Sequence, residues 1–381
     1  MPDVMLSRLK MQRPTYAEVD LSAIRDNIRA IRRRVGAGVR IMPAVKANGY
    51  GHGAAHVSRA CLDAGADVLC VACVEEGSEL RAAGIDAPLL ILGCTAPDAA
   101  EDALRLDMTT TVCEMDIARA LSRAAVSQGK RSVVHIKIDT GMGRIGIRPE
   151  DAVEFARAVS ALPGICVEGL FTHFPSSDEA DKAFTHRQIA QFGSIVASVR
   201  AAGVEVPIAH ASNSGGILAF PEADFDAVRP GIMIYGCYPS DEVERSIAIR
   251  EALTLKTRIV FVKEVAPGAT VSYGRTFIAK RPSIIATLPV GYADGYSRML
   301  SNKGEAAVRG SRARIVGRVC MDQILIDATD VPGVEVGDEV VLYGGGYDYL
   351  SLSKVAAKIG TISYEVLCNI SQRVPRVYLN A

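Results

Sequence analysis

Residues 21–53 read LSAIRDNIRAIRRRVGAGVRIMPAVKANGYGHG. The apolar residues of LSAIRDNIRAIRRRV fall at helical spacing, and RIMPAVK is a short apolar run suited to a buried strand. A Gly/Asn-rich turn follows Lys46. The same alternation of helix and short strand recurs downstream. DVLCVACV (67–74), PLLILG (88–93), MTTTVC (108–113), SVVHIKID (132–139), CVEGLFTHF (166–174), PIAHAS (207–212) and AVRPGIMIYG (227–236) read as strands. Ala/Arg/Glu-rich stretches such as MDIARALSRAAVSQG (115–129) separate most of them. Short apolar strands alternating with amphipathic helices make βα units and a parallel sheet. About eight units in roughly 235 residues suit a closed (β/α)8 TIM-type barrel, with a doubly wound open sheet as the competitor. TYAEVDL (15–21) is a ninth candidate strand, so one run lies outside the barrel or is misread.

The pattern changes near residue 247. LTLKTRIVFVKEV (253–265), ATVSYGRTF (269–277), PSIIATLPV (282–290), AAVRGSRARIVGRVCMDQILIDAT (306–329) and GDEVVLYGG (337–345) are β-rich and punctuated by Gly and Pro turns. Helical signal stays weak until LSKVAAKIG (352–360). The expected organisation is a barrel over 12–247 and a mainly antiparallel C-terminal β domain over 248–381.

The 381 residues carry 43 Lys plus Arg against 43 Asp plus Glu, which gives no electrostatic reason to expect nucleic acid or an anionic membrane as partner. The N-terminal stretch lacks the continuous apolar core of a signal peptide, and no run approaches the ~18 apolar residues of a membrane span. Nine scattered cysteines cannot all pair within one chain, and a reducing cytoplasm is expected. One CxxC, Cys70 and Cys73, falls in a strand, where residues three apart point to opposite faces, so no metal or redox site is expected there. Lys46 carries the most chemistry. Strand C-termini face the active site of such a barrel, and a lysine there, partly buried and losing its proton more readily, is suited to forming a Schiff base. Taken alone, a lysine opening a loop is more often a solvated side chain.

AVKANGYGHG (44–53) resembles the lysine motif of the alanine racemases. The resemblance continues through KIDTGMGRIG (137–146), THF (172–174), HASNSGG (210–216), RPGIMIYG (229–236), VSYGRTF (271–277), VGYADGYSR (290–298), GRVCMDQ (317–323) and GTISYEV (360–366). It covers both domains, and the order of the motifs is more specific than any one of them.

The resemblance implies pyridoxal phosphate as cofactor and L/D-alanine interconversion, usually to supply D-alanine for peptidoglycan. Lys46 would hold the cofactor and act as one base. Tyr273 would be the base on the opposite face, because racemisation takes a proton from one side of Cα and returns it to the other. A free tyrosine has a pKa of about 10 and needs a neighbour that stabilises phenolate. The family implies His173 in that place, contacting Arg229. The arginine would face the pyridine nitrogen, oppose its protonation and so weaken the ring as an electron sink, unlike the acidic partner of many pyridoxal enzymes.

Phosphate donors would come from Tyr50, Ser214, Gly231, Ile232 and Tyr364, several of them after late barrel strands, where such barrels often bind phosphate. Arg144 would contact the cofactor's phenolic oxygen and the substrate carboxylate. Lys137 matches a lysine often carbamylated in the family. Met321 and Asp322 would meet the substrate carboxylate, and Tyr292 and Tyr296 would line the entrance. The family also implies a head-to-tail homodimer with Tyr273 and Met321 supplied by the other subunit. Three alternatives stay open: a racemase of another small amino acid such as serine, a barrel-type decarboxylase, and a non-catalytic cofactor carrier.

Overall fold

In the computed structural model, which describes residues 13–381, the short apolar runs of the first two-thirds become strands paired side by side in parallel. Numbered along the chain, the first nine strands are β1 (Tyr16–Asp20), β2 (Arg40–Ile41), β3 (Leu69–Val71), β4 (Leu89–Ile91), β5 (Met108–Val112), β6 (Ser132–Lys137), β7 (Ile165–Phe171), β8 (Ile208–His210) and β9 (Ala227–Val228). Strands β2 to β9 form one eight-stranded sheet in the order β2-β9-β8-β7-β6-β5-β4-β3. The extension of β2 returns to β3 through a parallel bridge between Ala44 and Cys70, with Val45 N–H donating to the Cys70 carbonyl at 2.9 Å. That bridge closes the barrel. Pro43 has no N–H to give the ladder, which accounts for the shortness of β2.

The barrel strands are buried on both faces, as β3, β4 and β8 show along their whole length. The helix Leu21–Val35 buries Leu21, Ile24, Ile28 and Ile31 on one stripe and places Arg32, Arg33 and Arg34 in its last turn, where cations complement the helix dipole. Along β6 and β7 the register slips: Val134 pairs with Val167 but His135 pairs with Gly169. Glu168 is the extra residue of a β-bulge, a device that re-aims a side chain.

Strand β1 is not part of the barrel. It pairs antiparallel with Leu253–Arg258 and parallel with Arg376–Leu379, inside a nine-stranded, mostly antiparallel sheet. Its burial alternates strictly, with Ala17 and Val19 inward, which is the signature of a sheet with one wet face. The chain therefore divides into residues 21–250 and a second unit of residues 13–20 with 251–381. The domain expected over 12–247 loses its first strand to the other unit, and the C-terminal boundary falls at Arg250/Glu251. Among the described residues no helix is long and apolar enough to cross a membrane.

Candidate active site

Lys46, Lys137, His173, Ser214, Arg229, Gly231 and Ile232 all sit at or just beyond the C-terminal ends of barrel strands. Lys46 opens a turn in which Ala47, Asn48, Gly49 and Tyr50 all have φ between 49° and 60°. Left-handed backbone costs roughly 1–2 kcal/mol per non-glycine residue, and such strain persists only where the surroundings over-determine it. Here Glu76 does so. Its carboxylate accepts from the N–H of Ala47 and of Ala72, both at 2.7 Å, tying the lysine turn to the end of β3. The Asn48 side chain accepts from Ala54 N–H at 2.9 Å and closes the turn from the other side.

Lys137 ends β6 and is 3% exposed, its ammonium 4.4 Å above the Phe171 ring. Burial, with Arg229 and Arg144 nearby, lowers its pKa from 10.5 to about 7. Arg144 is exposed on a loop whose shape Asp139 sets by accepting from the N–H of Gly141 and Gly143. Gly146, at φ +129°, passes so close to β6 that a Cβ there would lie 2.7 Å from the Asp139 nitrogen.

Arg229 is buried, and both of its Nη atoms are hydrogen-bonded. It donates to the Thr172 and Ala211 carbonyls at 2.7 and 2.8 Å and to His210 Nδ1 at 2.6 Å, with His173 Nδ1 at 3.4 Å. Burial lowers its pKa only to about 10, so it stays charged at neutral pH. Among the described residues no carboxylate pairs with it. Burial, followed by Arg229, Lys137, Arg144 and Lys46, pushes His173 well below its ordinary value and keeps the ring neutral. Two arginines and two lysines thus act on one imidazole, an arrangement suited to an anionic ligand.

A close approach of backbone marks one end of this face. Ser214 Oγ accepts from Gly231 N–H at 2.9 Å and from Met233 N–H at 3.4 Å. A Cβ on Gly231 would lie 2.9 Å from the Tyr50 hydroxyl. Tyr50 itself is buried and stacked on Tyr235 at 4.8 Å. Only glycine leaves that cradle open.

In the second unit, Tyr273 and Met321 are on neighbouring loops and are 71% and 53% exposed. The tyrosine turn is strained, with φ of 64° at Ser272, 70° at Gly274 and 50° at Arg275. Ser272 Oγ donates to the Arg318 carbonyl at 2.7 Å, and Gly317 lets the two loops touch, since a Cβ there would meet Ser272 Cβ at 2.5 Å. The 290–298 loop joins them: Tyr292 N–H donates to the Cys320 carbonyl and Ala293 N–H to that of Met321, both at 3.1 Å. Asp322 is exposed and pairs with Arg373 at 2.7 Å. Tyr364 stands on the short helix Ser363–Cys368. Tyr292 is exposed on its loop. Tyr296, expected beside it at an entrance, is instead buried and stacked on Tyr343 at 5.5 Å, so it serves the core of this unit.

Two family models match the chain in order: the N-terminal domain of alanine racemase over residues 19–239 and its C-terminal domain over residues 252–378. This chain belongs to the alanine racemase family. It is 48% identical over 372 residues to an alanine racemase of Halothermothrix orenii, covering 97% of this chain and 98% of that one. The solved alanine racemase of Clostridium difficile matches with a TM-score of 0.93 at 39% identity, covering 97% of each chain. That of Bacillus anthracis, described with bound L-Ala-P, matches with a TM-score of 0.91 at 37% identity, covering 97% of this chain and 96% of that one.

Several residues that shape the site carry no motif of their own. Glu76, Asn48 and Asp139 shape the lysine and arginine loops. His210 and His135 lie behind Arg229, although both stand inside runs already quoted for other reasons. For the two histidines, a polar residue inside a strand-like run was the available signal, and their partners are remote in sequence.

Proposed function

We propose that this chain interconverts L-alanine and D-alanine with pyridoxal phosphate as cofactor, Lys46 and Tyr273 exchanging the α-proton on opposite faces. The observation that carries the reading is the barrel mouth itself: a cluster of cations around a neutral histidine, beside a glycine-lined cradle. The residues fit such a cofactor. Ser214 already accepts from two backbone N–H groups, so its own proton is free to donate outward to a phosphate oxygen. Tyr50 and Tyr364 would be the further hydroxyl donors, together with the Gly231 and Ile232 backbone.

When bound, pyridoxal phosphate supplies the electron sink for the charge left at Cα. Arg229 keeps a positive charge at its wall of the site, which disfavours protonation of a basic ring nitrogen placed against it. A restrained sink favours return of the proton over loss of the carboxylate. Arg144, with the backbone N–H groups of Met321 and Asp322, would hold the substrate carboxylate, and Lys46 Nζ takes or gives the proton on one face. Tyr273 Oη does so on the other, with the neutral His173 as its hydrogen-bond partner. A bulky, desolvated pocket is not required for alanine, whose side chain offers one methyl group for discrimination.

The exposure of Tyr273 and Met321 supports supply of these two residues to Lys46 of a second copy, in a homodimer with shared sites. Free cysteines throughout the described residues support a reducing cytoplasm as the location. The product role is D-alanine for peptidoglycan. Incubating the purified protein with single L-amino acids in D2O tests the assignment. Fastest α-proton exchange with D-product for alanine supports it. Exchange fastest for another amino acid changes the substrate, and no exchange by cofactor-loaded protein refutes the racemase reading.

A further inference from the structure

Behind Arg229 a hydrogen-bond chain runs through the inside of the barrel. Arg229 Nη1 meets His210 Nδ1 at 2.6 Å, His210 Nε2 meets His135 Nδ1 at 2.8 Å, and His135 Nε2 meets the Glu168 carboxylate at 3.0 Å. Both histidines are fully enclosed, and the Phe171 ring lies flat on His210 at 4.8 Å. Burial lowers the pKa of each ring, first among the causes, so both are neutral at pH 7. A neutral imidazole offers one donor and one acceptor. Arginine only donates and carboxylate only accepts, so one arrangement satisfies every atom. Arg229 donates to His210 Nδ1, His210 Nε2–H donates to His135 Nδ1, and His135 Nε2–H donates to Glu168.

Two backbone features exist to make that last contact. Glu168 is the extra residue of the β6–β7 bulge, and the bulge turns its carboxylate toward His135. The next residue, Gly169, lies against the imidazole: a Cβ there would be 2.7 Å from His135 Cε1 and Nδ1. The far end of the chain lies toward the N-terminal ends of the strands. After the His135 hydrogen bond, with burial opposing, Arg40 at the start of β2 helps keep the Glu168 carboxyl below its ordinary value.

We propose that His135 and Glu168 are positioning residues for Arg229: through His210 they hold its guanidinium and supply, from mid-strand in β7, the carboxylate that the guanidinium lacks in its own surroundings. If Glu168 were lost, His135 Nε2–H would face no acceptor. A shift of that proton to His135 Nδ1 would force His210 to carry its proton on Nδ1, donor against donor with Arg229. A change at Glu168 is therefore felt two rings away. Hydrogen bonds in such a chain also polarise one another, so removing charge at one end weakens the bond at the other. The consequence for racemisation rests on the function proposed above, while the chain of bonds does not.

Long-range 1H–15N NMR of the holoenzyme labelled at its six histidines, with His135→Gln and His210→Gln for assignment, tests this. Both rings are expected as neutral Nε2–H tautomers. Glu168→Gln keeps an acceptor oxygen without the charge and should fold. It is expected to move the His210 Nε2–H resonance as well as that of His135, and to lower kcat for alanine by roughly three- to tenfold with KM nearly unchanged. Glu168→Asp, which restores the charge, should recover part of the loss. An Nδ1–H tautomer at either ring in the wild type, a perturbation confined to His135, or shifted rings with unchanged kcat each overturns the proposal. A wild type that racemises nothing refutes the proposed function instead, and the resonances then still decide whether Glu168 reaches Arg229.

Discussion

Lys137 offers a sharp test of the electrostatics of the barrel mouth. Lowering its ammonium from 10.5 to about 7 corresponds to on the order of 5 kcal/mol against the charged form. The physical cause is burial first, then Arg229 and Arg144. In the unfolded chain this lysine holds its proton up to about pH 10.5, whereas the native chain releases it near 7. Between these values the unfolded state binds more protons, so the stability of the native state rises with pH, and the full penalty applies below 7.

Lys137→Met removes the titrating group and keeps an apolar chain of similar length. In CO2-free buffer, the advantage of Lys137→Met over wild type in urea unfolding should be greatest near pH 6 and fall steadily toward about pH 10. At about pH 8, roughly nine-tenths of Lys137 is neutral, against under one per cent of an ordinary lysine. A neutral amine adds CO2 to give a carbamate and releases one proton, and the anion so formed sits beside the groups that opposed the ammonium. 13C-bicarbonate should therefore give one protein carbamate resonance that is absent from Lys137→Met. A constant separation of the two unfolding curves across this pH range refutes the reasoning on the ammonium. No carbamate resonance at about pH 8 refutes the reasoning on CO2.

Gly231→Ala should weaken pyridoxal phosphate binding about tenfold or more, because the new methyl group comes within 2.9 Å of a Tyr50 hydroxyl pinned by stacking. An absorbance titration with unchanged affinity would show that the cradle lies elsewhere. Asp294→Asn should cost on the order of 3 kcal/mol, read as a drop of several degrees in Tm. Its buried carboxylate takes both Nη atoms of Arg13 at 2.5 Å and the Gly291 N–H at 2.9 Å. Burial opposes its charge, but these bonds prevail and hold its pKa below 3.8. Its stabilisation is therefore present above that value, fades as pH falls through the native one, and is absent in the variant; an unchanged Tm would mean the pair contributes nothing. Mixing Lys46→Ala with Tyr273→Ala chains should restore activity in heterodimers, since one shared site then keeps both bases. No recovery in verified heterodimers counts against shared sites.

Much of this protein was legible along the chain. Short apolar runs with helices between them specify a parallel barrel because period and run length are local properties, and Lys46 at a strand end follows from the same count. The motif order from AVKANGYGHG to GTISYEV carried the family, and with it the expectation of a cofactor and of two bases. Tertiary structure decided the rest, wherever the deciding partner is remote in sequence. TYAEVDL is apolar enough for a barrel strand, but its place was settled by pairing with strands more than 200 residues away. Tyr296 and Tyr292 look alike in VGYADGYSR, yet one is exposed and one packs on Tyr343. Glu168 is one carboxylate among many until a slipped register aims it at His135. Hydrophobic periodicity decides which segments pair with a core, because burial is repeated along each element. The direction of a single polar side chain depends on one bulge or one glycine, and no periodic signal records it.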